Sequence, residues 1–585
     1  MQQRFLLSIS LIFVLTGCTG DSERPKVTDV TSPEGTSQLT ADHIAAVNRK
    51  RRIVVNHPAD GLLEAIRHDV SVENLLEYEL GFTTEPGNQI DAQWWCLDRL
   101  FPLKSRPMHQ RNQEMAKDVA LWHPKYETIY TWAEKGFNIL RAYLEATKQR
   151  GLECFYTYRI SDAYSHDEFG VEFTQAHLDW LTEDEWGNKK WDFIVPEVRA
   201  KKLSVLKELA ADFDFDGLEI DFARGPNNLT KGQLWRNRDG LTQFMRDLRA
   251  TTLDVERKRG RPFLLAVRIP DNLLGCHFDG LHVEKWVREE LVDILVLGVR
   301  SYELDIEGFR HLIGSRPVKL FATLDDHHCT DGYSWPPIEV MRGVVANWWQ
   351  QGIDGLQTFN WGTASAEIAA KTGMSVRQAY RDDSSRIAVY QQAYRELGSP
   401  ETLRHKDKTF VVQRRGGGGS GGADIHEWRT PRVAYQNTNM LGQLPAFIDN
   451  TGRADTLVRL RVGDDVAEER AQIASATLTI LLSDPDTASV PDDQKIGKAA
   501  INPFWGIPQL FTSPPRKGIE MHTEVRVNGI LLETANVEDG WLVFPCAPDV
   551  FAVGENLVGV RVSGRSGEDP QMSLEKVEMR VTYSE

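Results

Sequence analysis

The sequence predicts an α/β protein, in which a (β/α)8 TIM barrel is followed by a C-terminal all-β sandwich of jelly-roll type. Between residues 41 and 405, eight short apolar segments alternate with segments whose apolar residues recur at helical spacing. From residue 424 to residue 585, short strands separated by turn residues replace that pattern. Residues 406–423, between the two regions, include a run of glycines that is typical of a flexible linker.

Each barrel strand is predicted from a short run of apolar and β-branched residues. The strands are expected, in order, at Arg52–Asn56, Asn88–Trp95, Leu152–Ile160, Phe215–Phe222, Phe263–Ile269, Asp293–Val299, Val318–Leu324 and Ile353–Phe359. The clearest helices between them are expected from about Ile129 to a stop at Gly151, at Pro196–Ala211 and at Val340–Gln351. A doubly wound open sheet is the alternative, but no glycine-rich phosphate loop follows the first strand. The order of elements therefore favours the closed barrel.

The sandwich is predicted from six short strands and the turns between them. These strands are expected at Thr456–Val462, Ala476–Leu482, Glu524–Val527, Leu542–Phe544, Leu557–Val562 and Val577–Tyr583. Asn528-Gly529 is the strongest of the turn signals. The region resembles the galactose-binding-like sandwiches that accompany many glycosidases. This resemblance implies a module that either binds glycan or braces the barrel, and the sequence leaves both roles open.

The N-terminus has the pattern of an export signal. Arg4 is followed by an apolar stretch that is too short to span a membrane as a mature helix. Residues 15–18, which end in Cys18, resemble the lipobox of bacterial lipoproteins, and an ordinary secretory signal is the alternative. The resemblance implies a signal peptide over residues 1–18, lipidation of Cys18 and anchoring in the bacterial cell envelope. Thr19 favours the outer membrane, and residues 19–40 are predicted to be a flexible tether.

Composition limits the possible partners. The chain has 68 basic and 84 acidic residues, and its formal net charge is -16. This charge argues against nucleic acid as the partner, because phosphate binding requires clustered basic residues. The five cysteines after Cys18 show neither CxxC nor zinc-finger spacing. The sequence does not indicate the oligomeric state.

The fourth predicted strand carries the most informative pair of residues. Side chains alternate along a strand, so Glu219 and Asp221 lie on one face, and Leu218, Ile220 and Phe222 lie on the other. Soluble proteins rarely bury two neighbouring acids unless these are paired or catalytic. Mutual repulsion and burial are expected to raise the pKa of one carboxyl group. The pair is therefore predicted to be catalytic, with a structural ion pair as the alternative.

Other polar and aromatic residues lie near the ends of predicted strands, where barrel enzymes place their active sites. Asp325, after the seventh strand, is the first candidate for a catalytic carboxylate opposite Glu219 and Asp221, ahead of Glu303 and Asp271. The residues expected to bind substrate are His57, Trp95, Arg159, Asp162, His166, Arg224, Arg268, Asp271, Arg300, Glu303 and Trp361.

A family resemblance is carried by the segment from Asp216 to Asp221. This segment resembles the Asp-Gly-hydrophobic-x-hydrophobic-Asp signature of glycosyl-hydrolase-like (β/α)8 barrels, including their family-10-like bacterial relatives. The likeness covers roughly residues 45–400 and is moderately specific. The chitinase-like pattern would require Glu where Ala223 stands, and the α-amylase pattern would require Arg where Glu219 stands. Neither of those mechanisms therefore transfers as a whole.

The resemblance implies a glycoside hydrolase that acts on an extracellular poly- or oligosaccharide. Such enzymes use two carboxyl groups, one to protonate the leaving oxygen and one as nucleophile or base. This chemistry needs no cofactor. One alternative is a lipoprotein that binds glycans without cleaving them. The other is a metal-assisted barrel hydrolase that uses Asp325, His327 and His328.

The arginines near four successive strand ends allow two interpretations. Arg159, Arg224, Arg268 and Arg300 either balance buried acids such as Asp221 or recognise an anionic sugar. Charge balance is favoured, and an anionic substrate is the alternative.

Overall fold

The eight predicted barrel strands are present, and they close into one parallel barrel. We number them β1 to β8, and their bounds are Ile53–His57, Ile90–Trp95, Glu153–Arg159, Gly217–Asp221, Leu264–Ile269, Ile294–Leu297, Lys319–Leu324 and Gly355–Phe359. Each strand pairs with the next, and β8 pairs with β1. The structure therefore confirms the barrel.

The structure is a computed structural model that describes most of the chain after residue 38. The described residues are 39–59, 61–97, 101, 103–104, 132, 135–161, 169, 171–183, 187, 189–224, 228–298, 301–326, 333–361, 364–375, 384–414, 441–498, 503–504, 507–508 and 512–584. The predicted signal peptide, including Cys18, and nearly all of the predicted tether lie outside these ranges. None of the helices in the described ranges is long and apolar enough to cross a membrane.

Helices connect the barrel strands. We number them α1 to α14, and their bounds are Ala41–Asn48, Gly61–Arg67, Val72–Leu80, Ile139–Gln149, Val171–Ala176, Pro196–Asp212, Asp239–Arg259, Leu273–Phe278, Val283–Arg288, Ile306–Ile313, Ile338–Gln351, Ala366–Thr372, Ser384–Glu396 and Pro400–Leu403. Asn138 caps α4 by accepting a hydrogen bond from the backbone N–H of Arg141, which explains why this helix begins later than its apolar periodicity indicates.

Every second barrel strand has an aspartate at its start or immediately before it. Each of these aspartates forms a hydrogen bond with the backbone of the preceding strand. The carboxylates of these aspartates accept backbone N–H groups at 2.7–2.9 Å, and the pairs are Asp91 with Arg52, Asp216 with Cys154, Asp293 with Leu265, and Asp354 with Leu320. An arginine neutralises each carboxylate, and these arginines are, in the same order, Arg52, Arg261, Arg249 and Arg310. This device therefore fixes strand pairing at the N-terminal end of the barrel.

One of these aspartates belongs to a larger buried charge network. Arg249 donates two hydrogen bonds to Asp293, at 2.8 and 2.7 Å. His43 of α1 contacts Asp293 through Nε2 at 2.9 Å and Glu256 through Nδ1 at 2.6 Å. Burial lowers the pKa of His43, but the hydrogen bond and charge of Asp293 outweigh burial and raise that pKa. The network therefore joins α1 to the base of the barrel through charged groups.

Two glycines make room for aromatic rings in the lower barrel interior. A Cβ at Gly217 would lie 2.6 Å from the ring of Phe155, and one at Gly355 would lie 2.9 Å from the ring of Phe321. Phe155 in turn stacks on Trp94, with ring centroids 4.6 Å apart. Glycine is therefore required at both strand starts because the interior is filled by large side chains from neighbouring strands.

The C-terminal region is a sandwich of two antiparallel sheets. Its main strands, β9 to β18, are Lys408–Val411, Ala446–Phe447, Thr456–Val462, Ile473–Ser483, Thr523–Val527, Ile530–Leu531, Asn536–Glu538, Trp541–Cys546, Gly554–Val562 and Ser573–Tyr583. One sheet has the order β9-β18-β12-β16-β15, with β10 also paired to β18, and the other has the order β11-β17-β13-β14. Asn528 and Gly529 both have positive φ and form the predicted turn. The predicted sandwich is therefore confirmed.

The first residues of the predicted linker belong to the sandwich. β9 lies within residues 406–423, yet it pairs with β18 and packs against α11 of the barrel. A Cβ at Gly343 of α11 would lie 2.2 Å from the carbonyl oxygen of Thr409, so glycine allows this close approach. The linker prediction is corrected here because an apolar β-strand precedes the glycine run, which itself lies outside the described residues.

Candidate active site

Inward-facing side chains form a polar layer around Glu219. Oε2 of Glu219 accepts hydrogen bonds from Thr157 at 2.6 Å and from Asn56 at 2.8 Å. Oε1 accepts one from Gln357 at 2.7 Å, and Thr323 in turn donates to Gln357 at 3.3 Å. These partners come from β1, β3, β7 and β8, so Glu219 is held from across the barrel. Both of its oxygens have protein partners, and the residue is fully enclosed.

Asp221 lies one inward position closer to the C-terminal end of the barrel. Arg268 of β5 donates to both of its oxygens, at 3.1 and 2.8 Å, and this guanidinium lies 3.9 Å from the ring centroid of Phe359. The backbone N–H groups of Ala223 and Arg224 also donate to Asp221, at 3.0 and 2.9 Å. Asp221 is therefore held as a charged, oriented carboxylate.

Glu219 and Asp221 have different electrostatic environments. Burial, followed by the nearby charge of Asp221, raises the pKa of Glu219 to about 7. Arg268 and the hydrogen bonds from Thr157 and Gln357 oppose this rise without cancelling it. The pair consequently combines a carboxyl group that titrates near neutral pH with a carboxylate that an arginine neutralises, and two such groups can divide acid and base roles.

Four further predicted residues lie at or just after the C-terminal ends of barrel strands. Arg159 of β3 is in register with Asp221, on the side opposite Arg268. Asp325 directly follows β7 and is buried, and strand alternation places it on the same face as Thr323. Asp271 follows β5 and accepts a hydrogen bond from Asn272 at 2.9 Å. Arg224 follows β4, and its carbonyl oxygen accepts a hydrogen bond from Ser161 at 2.6 Å.

His57 and Trp95 do not lie in the barrel interior, which corrects their predicted role. The indole Nε1 of Trp95 donates to Thr147 of α4 at 2.8 Å, and its ring packs on Tyr143. The ring of His57 lies beside that of Trp95, and its Nδ1 accepts the backbone N–H of Ala59 at 3.0 Å. Burial lowers the pKa of His57 to about 4. Both side chains lie in the layer between the strands and the helices, because their preceding neighbours, Asn56 and Trp94, face the barrel interior.

The predicted role of Trp361 is also corrected, and the structure places Glu303 beside the sandwich. Trp361 is buried and stacks on Tyr390 of α13, with ring centroids 4.4 Å apart, so it packs under a helix and presents no platform for a sugar. Glu303 accepts a hydrogen bond from the backbone N–H of Gln413 at 3.0 Å. Gln413 directly follows the β9 region, so Glu303 lies where the sandwich meets the barrel.

Several predicted residues lie outside the described parts of the chain. They include three substrate-binding candidates, Asp162, His166 and Arg300, and the two histidines of the metal hypothesis, His327 and His328. Within the described ranges, no group of three or more His, Cys, Asp or Glu side chains is arranged to hold a metal ion. The metal hypothesis thus depends on residues that the structure does not describe.

The sequence interpretation missed the residues that hold Glu219. Asn56, Thr157 and Gln357 each occupy an inward position on a strand that is otherwise apolar at its centre. A polar residue at such a position indicates a buried hydrogen-bond partner, because burying an amide or hydroxyl group without one is costly. This signal in the sequence would have identified all three residues. Their partner is the carboxylate that the sequence did identify.

The fold and site define a (β/α)8-barrel protein whose paired carboxyl groups approach the end of the barrel where enzymes of this fold place their active sites. No protein-family model matches the chain, and no curated protein matches its sequence.

A comparison with solved structures found chains with a weak overall likeness to this one. The α-amylase of Geobacillus thermoleovorans complexed with acarbose is 11% identical, with a TM-score of 0.35 over 88% of this chain and 100% of that chain. The α-L-fucosidase isoenzyme 2 of Paenibacillus thiaminolyticus is 13% identical, with a TM-score of 0.36 over 62% of this chain and 51% of that chain. The α-galactosidase of Thermus thermophilus is 13% identical, with a TM-score of 0.31 over 56% of this chain and 64% of that chain. All three TM-scores lie below 0.5, so the barrel is established by the strand pairing described above and not by these likenesses.

Proposed function

We propose that this chain is a glycoside hydrolase that acts on an extracellular poly- or oligosaccharide by carboxylate acid–base catalysis. The observation that carries the proposal is the electrostatic division between Glu219, whose pKa is raised to about 7, and Asp221, which is paired with Arg268. Hydrolysis of a glycosidic bond needs one carboxyl group that holds a proton and one that is charged. The ion pair between Asp221 and Arg268 lies near the C-terminal rim of the barrel, where enzymes of this fold bind their substrates.

In this mechanism, Asp221 is the first of the two residues that a substrate entering from the rim would meet. Asp325 supplies the carboxylate on the facing strand, and Glu219 holds a proton that it exchanges within the polar layer. Arg159 ends β3 in register with Asp221, and Arg224 follows β4. If the substrate is anionic, these two are the groups that recognise its charge.

The pKa of Glu219 predicts how activity depends on pH. If hydrolysis requires protonated Glu219, kcat should fall about tenfold for each pH unit above 7, because the charged form of Glu219 then dominates. The test is kcat measured from pH 5 to pH 9. Glu219→Gln should abolish the alkaline fall and leave a low residual rate. An unchanged alkaline fall in that variant would assign the titration to another group.

Folding stability should respond to the same titration. The folded-state pKa of Glu219 is raised above its ordinary value of 4.5, so the unfolded chain releases this proton at lower pH. The contribution of Glu219 to stability is therefore fully present below about pH 4.5 and is lost as the pH rises to about 7. Glu219→Gln should consequently gain stability relative to the native chain between those limits, as urea unfolding at several pH values would show.

A polysaccharide-release screen tests the proposed function directly. Purified protein is incubated with neutral and acidic polysaccharides, and new reducing ends are measured. The proposal requires release from at least one polysaccharide, with loss of release in Asp221→Asn. If no polysaccharide in a broad panel is cleaved while several are bound, the hydrolase proposal fails.

A glycan-binding lipoprotein without catalytic activity is the second candidate. The observation that favours it is the complete engagement of both carboxyl groups by protein donors, together with their full enclosure. In that case the carboxyl pair only holds the barrel together. Binding that survives both Glu219→Gln and Asp221→Asn, without release of sugar by the native chain, would support this candidate.

Lipid anchoring and an outer-membrane location belong to the same proposal. They depend on the resemblance of residues 15–18 to a lipobox. In a Gram-negative host, Cys18→Ser should move the protein from the membrane fraction to the soluble fraction and abolish labelling by palmitate. Membrane association that is unchanged in this variant would contradict the proposal.

A further inference from the structure

A cleft lies between the barrel and the sandwich, and neither Glu219 nor Asp221 lines it. It has a volume of about 250 Å³. The segment from Tyr302 to Glu307 and helix α11 line it from the barrel side. Leu441, Gln443 and strand β11 line it from the sandwich side. The volume is just below the range of roughly 300–1,000 Å³ that is usual for drug-sized ligands, so the cleft suits a ligand of one or two sugar units.

Glu303 is an unusual residue for a surface that only braces two domains. Its described partners are neutral: the backbone N–H of Gln413 and the side chain of Gln443. Within the described residues, Glu303 takes part in no direct ion pair. Burial raises its pKa to about 7, and the more distant charges of Arg459 and Arg461 only partly oppose this effect. Glu303 is partly buried and lines the cavity, so its carboxyl group can also accept hydrogen bonds from donors such as hydroxyl groups.

The sandwich side of the cleft supplies complementary groups. Arg459 and Arg461 project from β11, and Glu555 of the neighbouring strand contacts them at 3.8 and 3.1 Å. Gln443 is held in place because it accepts the backbone N–H of Arg459 at 2.8 Å. Apolar side chains such as Leu441 lie among these polar groups. Planar polar groups beside apolar surface match a sugar ring, which presents hydroxyl groups at its edge and C–H groups on its faces.

We propose that this cleft is a saccharide-binding site, separate from the barrel mouth, in which Glu303, Arg459 and Arg461 bind sugar hydroxyl groups. The site requires both domains, because Glu303 comes from the barrel and the two arginines come from the sandwich. The sandwich therefore binds glycan and braces the barrel at one surface. The proposal does not depend on hydrolysis at the carboxyl pair.

The test measures saccharide binding by the full chain carrying Asp221→Asn, so that no sugar is consumed at the barrel mouth. The probes are glucose, galactose, N-acetylglucosamine, glucuronic acid, cellobiose and maltose. Calorimetry and saturation-transfer NMR measure their binding. In this background, Arg459→Gln and Leu441→Trp should each weaken binding at least about tenfold, the first by removing a charged donor and the second by filling the cleft. The side chain of Arg459 is 61% exposed, so its replacement should leave folding intact.

Arg453→Gln is the matched control, because Arg453 is an exposed arginine just before the same strand and does not line the cleft. It should bind the probes as well as its parent. The proposal is overturned if no probe binds, or if binding is unchanged by both cleft substitutions. Hydrolysis is measured separately in Arg459→Gln with Asp221 intact, where the native rate on small substrates is expected. Loss of cleft binding and loss of hydrolysis are thereby distinguished.

Discussion

Asp221→Asn should reduce kcat by at least about 10³-fold while the protein remains folded. The substitution removes the charge of the carboxylate that Arg268 and two backbone N–H groups now orient. The asparagine nearly preserves the shape of the side chain, but one of its two terminal atoms becomes a donor. Arg268 then loses a charged partner inside the barrel. Steady-state kinetics on the substrate found by the release screen, with circular dichroism to verify folding, measure this effect.

Asp214→Asn provides the control for this experiment. Asp214 precedes the same strand, but its side chain is 65% exposed and pairs with Lys148 and Arg261 at the opposite end of the barrel. Its replacement should change kcat by less than about twofold, because exposed ion pairs contribute little and this one is remote from the rim. Equal losses in the two variants would indicate a general effect on folding and would contradict a catalytic role for Asp221.

Arg249→Met should lower the free energy of unfolding by about 3–5 kcal/mol, because it leaves a buried charge without its partner. Asp293 is fully buried. Burial raises its pKa, yet the charge of Arg249 and the hydrogen bonds of His43 and Arg249 hold that pKa well below the ordinary value. Without Arg249, His43 is the one cationic partner of Asp293 left among the described residues, and Glu256 competes for the same imidazole. Urea unfolding at pH 7 measures the loss.

Arg257→Met is the matched control, because it removes an arginine from the same helix, α7. Arg257 is 75% exposed, and it pairs with Asp254 at 3.2 Å. Its loss should cost less than about 1 kcal/mol. If the two variants lose equal stability, the buried network does not hold α1 and the barrel base together as described.

The course of the chain could be predicted well because local rules determine it. The strand Thr456–Val462 was predicted with the bounds that the structure shows. For the fourth barrel strand, the predicted start lies two residues before the observed start, and the predicted end lies one residue after the observed end. Apolar and β-branched runs, glycine and turn residues act over a few positions, so one sequence is sufficient to detect them. The inward face of β4 could also be inferred, because its two acids alternate with apolar residues.

The candidate site could be predicted only in part, because the direction of many side chains is not determined locally. Trp94 and Trp95 are both apolar and adjacent, so the sequence does not show which one faces the barrel interior. The structure places Trp94 inside and Trp95 against α4. Glu303 illustrates a second limit. Its environment depends on where a domain more than a hundred residues later in the chain docks, and no local pattern carries that information.

The aspartates that join neighbouring strands change what a search with the Asp216–Asp221 signature would find. Asp216 accepts a backbone N–H from β3, and Gly217 makes space for Phe155, so these two residues serve the architecture. Within this segment, Glu219 and Asp221 are the residues that line the candidate site. A homologue recognised by its Asp-Gly pair alone would share the scaffold with no guarantee of shared chemistry. For protein engineering, the C-terminal rim can be randomised while the four strand-joining aspartates are kept, since Asp216 and the candidate site residue Asp221 lie at opposite ends of the same short strand.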